Sequence, residues 1–387
     1  MRRAVLLVGF VTLVPAPYAV AQESAAEQFA RGVDYQHGAG VPRDARAAAA
    51  WYRKAAAQGH VQAQVNLAIM YLSGDGVEQN KTAAVEWFTR AAEEGDTGAQ
   101  VTLGLMYGAG NGVRQDLARA AAWFTRAADQ GDTTAQLNLG LMYHSGAGVR
   151  ADILAAVRWY TKAAEGEFLQ AQYNLASIYD AGAAGLPRDA ARAAAWYTRA
   201  AEQGHADAQN RIGEMYRAGD GVPPDLAAAA MWFTRATELG HAGGRFNWGS
   251  LYYLGEGVPK DAAKAMELFT AAAQQGHAQA QFNVGVLHHT GANGLADPAR
   301  AATWFVKAAA QGHVSAQVNL AVMYASGIGV ARDRVLAYAW AEIAVAAGSR
   351  EAEQLRGSLQ QALTTGELAE GRRRAATWAA GTREHVP

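Results

Sequence analysis

Tryptophan recurs at Trp51, Trp87, Trp123, Trp159, Trp196, Trp232, Trp304 and Trp340, and all but two of the intervals are 36 residues. One interval is 37, between Trp159 and Trp196, and one is 72, where a single repeat carries Leu268 instead. A period of this length marks a supersecondary unit that cannot bury its apolar face alone and stacks on copies of itself. The chain therefore folds as one repeat array, although 387 residues would ordinarily suggest two or three domains.

Each unit reads as two helices. Gly59, Gly95, Gly131, Gly204, Gly240, Gly276, Gly312 and Gly348 are placed to end one helix in the left-handed conformation that suits glycine. The next residue, Asp96, Asp132, Ser349 or a histidine at His60, His205, His241, His277 and His313, opens helix A. Within helix A, Ala63, Leu67 and Tyr71 form a four-residue stripe that predicts its core side. Beside them the row Gly32, Ala68, Gly104, Gly140, Ala176, Gly213, Gly249, Gly285 and Ala321 stays small, which predicts a helix passing close by. A Gly74-x-Gly76-Val77 loop follows, with Val77 expected to turn inward. Asp44, Asn80, Asp116, Asp152, Asp189, Asp225, Asp261, Asp297 and Asp333 then cap helix B, Pro298 sits at a first helical position, and the tryptophan row is expected to be the core of helix B.

Ala63-Gln64, Leu67-Ala68, Tyr71, Gly74-x-Gly76-Val77, Asn80, Trp87 and Ala91-Ala92-x-x-Gly95 together resemble the Sel-1-like repeat family, relatives of the tetratricopeptide repeat with a longer loop between helices. The resemblance covers about nine units. It implies an all-α fold, a right-handed α/α superhelical solenoid with helix A on the inner face, and an adaptor that gathers protein or peptide partners there. Some cysteine-rich secreted relatives have been associated with penicillin binding or β-lactamase activity, which implies a cell-wall peptide or β-lactam hydrolase as the alternative. This chain has no cysteine.

Residues 1–21 read as a secretory signal peptide: Arg2 and Arg3, the apolar run Ala4 to Val14, and the small-x-small site Ala19-Val20-Ala21. Export to the periplasm or medium is expected, with cleavage after Ala21, the repeats over 22–347 and capping helices over 348–387. No later window is apolar enough for a transmembrane helix. The formal charge of −1 becomes −3 once Arg2 and Arg3 leave with the leader, and that near-balance argues against nucleic acid as a partner.

Nothing in the chain reads as an enzyme. Ser-x-x-Lys, His-Glu-x-x-His and Gly-x-Ser-x-Gly are absent, and Gly108-Ala109-Gly110-Asn111-Gly112 is a version of the loop every repeat carries, with no strand before it. Equivalent histidines on stacked helices stand roughly 8–10 Å apart, too far to share one metal ion. No cofactor, metal or catalytic residue is expected.

The functional signal lies on the outward side of helix A. Position 66 reads Asn66, Thr102, Asn138, Asn174, Arg211, Asn247, Asn283 and Asn319. Amides there can hold the backbone of an extended peptide, or each can bond a loop of the neighbouring unit. The apolar rows that start at Val65 and Ile69 are either an exposed groove or packing against the next helix A. Departures from the repeat mark where a specific site is expected, from Arg211 to His289. Arg211, Glu214 and Arg217 add charge, Arg245 replaces glutamine, and Tyr253 and His289 add ring groups. Trp248 replaces the core leucine while Leu268 replaces the tryptophan, an exchange that would conserve volume in one core. The candidate partner contacts are thus Asn66, Asn138, Asn174, Arg211, Glu214, Arg217, Arg245, Asn247, Tyr253, Asn283, His289 and Asn319. At the end, Ser349 to Leu363 and Gly366 to Ala380 read as two capping helices, the second carrying Trp378 and Arg372-Arg373-Arg374.

Overall fold

The computed structural model describes residues 23–379, Asn293 excepted, so the leader expected over 1–21 lies outside the described residues. The described chain forms twenty α-helices and, apart from an isolated bridge between Ala183 and Leu186, no β-structure. It divides into two compact units that meet at Asp152 and Ile153. The first holds α1 (Ala25–His37), α2 (Ala45–Ala57), α3 (Val61–Ser73), α4 (Lys81–Glu93), α5 (Thr97–Ala109), α6 (Leu117–Asp129) and α7 (Thr133–Ser145). The second opens with α8 (Ile153–Glu165), α9 (Leu169–Ala181), α10 (Ala190–Glu202), α11 (Ala206–Ala218), α12 (Leu226–Glu238) and α13 (Ala242–Leu254). It continues through α14 (Ala262–Gln274), α15 (Ala278–Thr290), α16 (Pro298–Ala310), α17 (Val314–Ser326), α18 (Arg334–Ala346), α19 (Arg350–Ala362) and α20 (Thr365–Ala379). Odd-numbered helices through α19 are the A helices. In each unit a helix packs against its neighbours in sequence, the stacking that defines an α-solenoid.

The caps act as the sequence predicts. Asp44, Asn80, Asp116, Asp189, Asp225, Asp261, Asp297 and Asp333 each accept a backbone N–H from the first turn of helix B. The backbone N–H of each cap also bonds the residue at the Tyr71 position, as Asn80 N–H does to Tyr71 O at 2.9 Å, which closes the loop. The glycines that end helix B take positive φ. Where the pattern slips to Gly166-Glu167, the left-handed position falls on Glu167 (φ 61°), the one such non-glycine among the described residues.

The core of helix B corrects the sequence reading. The stripe Ala48, Ala49, Tyr52, Ala55 and Ala56 is buried, whereas Trp51 is half-buried. The fully packed ring is the one after the tryptophan: Tyr52, Phe88, Phe124, Tyr160, Tyr197, Phe233, Phe269 and Phe305. Trp51, Trp87, Trp123, Trp159, Trp196 and Trp304 lie one residue, or 100°, off that stripe. Trp232 and Trp340 alone in the row are buried. A cation three residues on covers each half-buried ring: Lys54, Arg90, Arg126, Lys162, Arg199 and Lys307 stand 4.0–4.6 Å from the ring centres. The pairing covaries. Leu268 has Ala271 at the cation position, and Trp340, with Ile343 there, is covered by Trp378 of α20 at 4.7 Å.

These rings explain the small row of helix A. A Cβ at Gly104 would stand 2.6–2.8 Å from the Phe124 ring, and Gly32, Gly213 and Gly285 meet Tyr52, Phe233 and Phe305 in the same way. Val77 packs half-buried on the Ala48–Met70 cluster formed by α2 of the preceding repeat and α3 of its own, the inward turn expected for it. Trp248 and Leu268 are both half-buried, so their exchange is not the swap within one sealed core that their volumes suggest. Among the described residues no helix is long and apolar enough to cross a membrane.

A buried glutamine ladder, unread in the sequence, links the repeats. Gln64, Gln100, Gln209, Gln281 and Gln317 are each at most 5% exposed and donate to a carbonyl of the preceding helix B. The carbonyl oxygens of this row need a donor, and a glutamine one repeat on supplies it: Gln130 to Gln100 and Gln311 to Gln281, thirty residues apart, at 2.8 Å, and Gln203 to Gln172, thirty-one apart, at 2.9 Å. Glu94, Leu239 and Ala347 hold that position for Gln64, Gln209 and Gln317, whose Oε1 atoms lack a partner. Glu94→Gln changes one atom group and restores the donor. It is expected to raise stability by about 0.5–1.5 kcal/mol, read as a higher denaturation midpoint. An unchanged midpoint would mean that water already serves Gln64.

Candidate functional site

The outward face of helix A is built by subtraction. Positions 63, 64, 67, 68 and 70 of α3 are buried, which leaves Gln62, Asn66, Ile69 and Ser73 along the other side. The two apolar rows divide. The row that starts at Val65 is covered: Leu137 and Val318 are buried, and Phe29, Tyr173, Phe246 and Phe282 stack on the capping histidine of the next repeat at 4.2–4.8 Å. The row that starts at Ile69 is not. In the first unit Ile69 is 50%, Leu105 50% and Leu141 43% exposed.

The histidines are thereby explained. Nδ1 of His60, His205, His241, His277 and His313 accepts the third N–H of its helix at 2.9–3.3 Å, from Ala63, Ala208, Gly244, Ala280 and Ala316. Burial holds His205, His277 and His313 below the usual histidine range, with Asp207 opposing at His205. Protonation would replace an acceptor by a donor facing an N–H. The unfolded chain thus binds the proton more readily than the folded one, so the stability is complete above the free value of about 6.5 and lost as pH falls through the folded values. Thermal melts are expected to drop between about pH 7.5 and 5.0, and changing the three histidines to Asp should flatten that drop, because an Asp cap stays ionised there. An equal drop in both proteins would place the titration elsewhere.

The asparagine row is half-buried and mostly bonds within its own repeat. Asn66 accepts from Gln62 at 3.2 Å, Asn174 from Gln170 at 2.9 Å and Asn283 from Gln279 at 3.2 Å. Asn138 and Asn319 donate to the carbonyls of Thr134 and Ser315. Asn66 and Asn174 also meet the phenols of Tyr52 and Tyr160 on the preceding helix B. Burial pushes Tyr160 up to about 12, with the Asn174 hydrogen bond opposing. The expected bond from each Asn to a neighbouring loop is replaced by these contacts along and between helices.

In the second unit the charged departures close on one another. Arg211 grips Asp180 with two bonds of 2.7 and 3.0 Å and reaches Glu214 at 3.0 Å, while Arg188 joins Asp180 to Asp220. Asn247, 9% exposed, donates to Asn210 and Glu214 at 2.9 and 3.0 Å. Burial works against ionisation of Asp180, but the hydrogen bonds and charges of Arg211 and Arg188 outweigh it and hold its carboxyl below the usual range. The loop between α9 and α10 carries the extra residue of the 37-residue interval, and this network pins that loop to α11. Arg217 pairs with Glu256 at 2.8 Å, Tyr253 lies against Phe269 with Lys260 above its ring, and Arg245 is half-buried. His289 is exposed beside half-buried His288. At the end of the array Arg373 and Arg374 pair with Glu370, and Arg372 donates to the Tyr338 hydroxyl at 3.4 Å.

No curated protein matches the chain. Two solved structures resemble it over most of their length. One is c5321, a protective antigen present in uropathogenic Escherichia coli strains and displaying an SLR fold, with 31% identity over 94% of this chain and 87% of that one at a TM-score of 0.65. The other is a Sel1 repeat protein from Oxalobacter formigenes, with 35% identity over 80% of this chain and 89% of that one at a TM-score of 0.67. Such repeats typically serve as protein–protein interaction scaffolds. With Sel1 repeats matched at 28–60, 61–96, 98–132, 133–167, 169–205, 206–241, 243–277, 278–313 and 314–349, the chain belongs to the Sel1 repeat family.

Proposed function

We propose that this protein is an exported, non-catalytic scaffold that binds a protein or peptide partner on the outward face of its A helices. The observation that carries the reading is the uncovered row Ile69, Leu105 and Leu141, three aliphatic side chains left in water at equivalent positions of successive repeats. A folded chain normally covers or scatters such residues, and an aligned set marks an interaction surface. The neighbouring Asn66, Thr102 and Asn138 place polar atoms beside it. The charged cluster around Arg211 is largely occupied by internal pairs, which makes the second unit's contribution one of shape more than of free charge.

A photo-crosslinking residue placed at 69, 105 or 141 tests the site, with 90 and 126 on the B helices as controls. Partner adducts from the A positions alone support the scaffold. Adducts only from the B positions, or none, sink it. Export is supported by the Arg2–Ala21 pattern. Recovery outside the cytoplasm of a chain beginning at Gln22 is the expected result, and a cytoplasmic chain retaining Met1 would overturn it.

A further inference from the structure

We infer that Asn111 is a site of spontaneous covalent modification, at which the side-chain amide is lost and part of the population acquires an isoaspartate linkage in the main chain. Its neighbour decides the chemistry. The Gly112 nitrogen gives up its proton and attacks Cγ of Asn111, ammonia leaves, and a succinimide ring closes through atoms of these two residues alone. Water then opens the ring at either carbonyl. Opening at Cγ gives aspartate at 111 on an ordinary peptide bond. Opening at the main-chain carbonyl gives isoaspartate, whose chain runs through Cγ and is longer by a single carbon. Either route exchanges one water for one ammonia and leaves a new carboxylate.

The structure sets Asn111 apart from the other asparagines. Of ten in the chain, seven lie inside A helices, as Asn138 does in α7, where the next N–H is tied along the helix and the next side chain is bulky. Asn80 is engaged as the cap of α4, with its carbonyl oxygen on the Ala83 N–H at 2.9 Å, and Lys81 follows it. Asn111 sits half-buried in the loop between α5 and α6. Among the described residues neither its side-chain amide nor the Gly112 N–H has a hydrogen-bond partner, and Gly112 has no Cβ to crowd the attack. The chain holds one more such pair, Asn293-Gly294, whose Asn293 lies outside the described residues.

The two products differ in effect. Asp75 and Asp220 hold the equivalent place in other repeats, so aspartate at 111 suits the loop. Isoaspartate puts its extra carbon where the main chain is held. A Cβ at Gly112 would stand 2.7 Å from the Lys81 carbonyl oxygen, and the Gly112 carbonyl accepts the Thr82 hydroxyl at 3.2 Å. The joint between the repeats that carry Ile69 and Leu105 therefore loosens as the protein ages.

The test is to hold the purified full chain at neutral pH in water enriched in heavy oxygen, digest samples over several weeks, and read each asparagine by mass spectrometry. Asn111 should convert about tenfold faster than Asn138 or more, gaining one labelled oxygen and appearing in two chromatographically distinct forms. Asn111→Gln should stop the conversion, because its longer side chain closes a larger ring far more slowly. Conversion no faster than that of Asn138, or a product without isoaspartate, overturns the assignment. Hydrogen exchange then reads the joint. At the starts of α4 and α6 the isoaspartate form should exchange faster than the fresh chain, while Asn111→Asp should match the fresh chain. Equal exchange in the isoaspartate form and in Asn111→Asp overturns the loosening.

Discussion

Phe124→Ala is expected to cost about 3–5 kcal/mol, and Trp123→Ala, a larger truncation one residue away, only about 2 kcal/mol. Phe124 is 4% exposed and its ring lies on the bare backbone at Gly104, so its removal opens a void that two rigid helices cannot close. Trp123 already shares its ring with water and with the Arg126 guanidinium at 4.6 Å, and loses a half-share of burial and one cation contact. Arrays of this kind need not unfold in one step. The comparison is therefore best made by urea denaturation together with hydrogen exchange in α5 and α6. A larger cost for Trp123 would return the tryptophan row to the core.

Gly221→Ala should destabilise the second unit by about 3–5 kcal/mol, against about 1–2 kcal/mol for Gly204→Ala. Both residues have positive φ, 74° and 90°, so both substitutions carry the left-handed penalty of a Cβ. At Gly204 nothing lies within 4 Å of that new atom, whereas at Gly221 it would overlap the Ala190 carbonyl, the first residue of the preceding helix B. Their difference isolates the backbone contact between repeats. Equal costs would mean that the loop moves aside freely.

The period, helix ends, caps and small row were legible because each follows from local rules: a glycine where φ must be positive, an Asp where N–H groups lack acceptors, a missing side chain where a ring sits. The misassigned core has an equally local origin. Trp51 and Tyr52 differ by 100° on the helix, and the tryptophan is the more conspicuous in the repeat, although Ala48, Ala55 and Ala56 centre the buried stripe on Tyr52. The glutamine ladder was readable in principle, since Gln28, Gln100 and Gln281 each have a glutamine thirty residues later and Gln172, before the one-residue insertion, has one thirty-one later. That pairing joins different repeats, so no single unit displays it. Position 69 could not be told from position 65 by pattern alone, because both rows are apolar and what covers position 65, a capping histidine ring at four repeats, belongs to the next unit.

The second glycine of each loop carries one more consequence. Gly76 rests on Ala45, Gly112 on Lys81, Gly148 on Leu117, Gly221 on Ala190 and Gly329 on Pro298, each against the carbonyl group at the start of helix B, while Gly257 meets the Leu226 Cβ first. A seam made of backbone does not depend on which side chains flank it. This part of the seam is common to successive copies, so it is kept when a gene for such a chain lengthens or shortens by whole units through duplication and loss. The residues displayed on each unit then remain free to diverge, much as a socket of standard width accepts many different plugs.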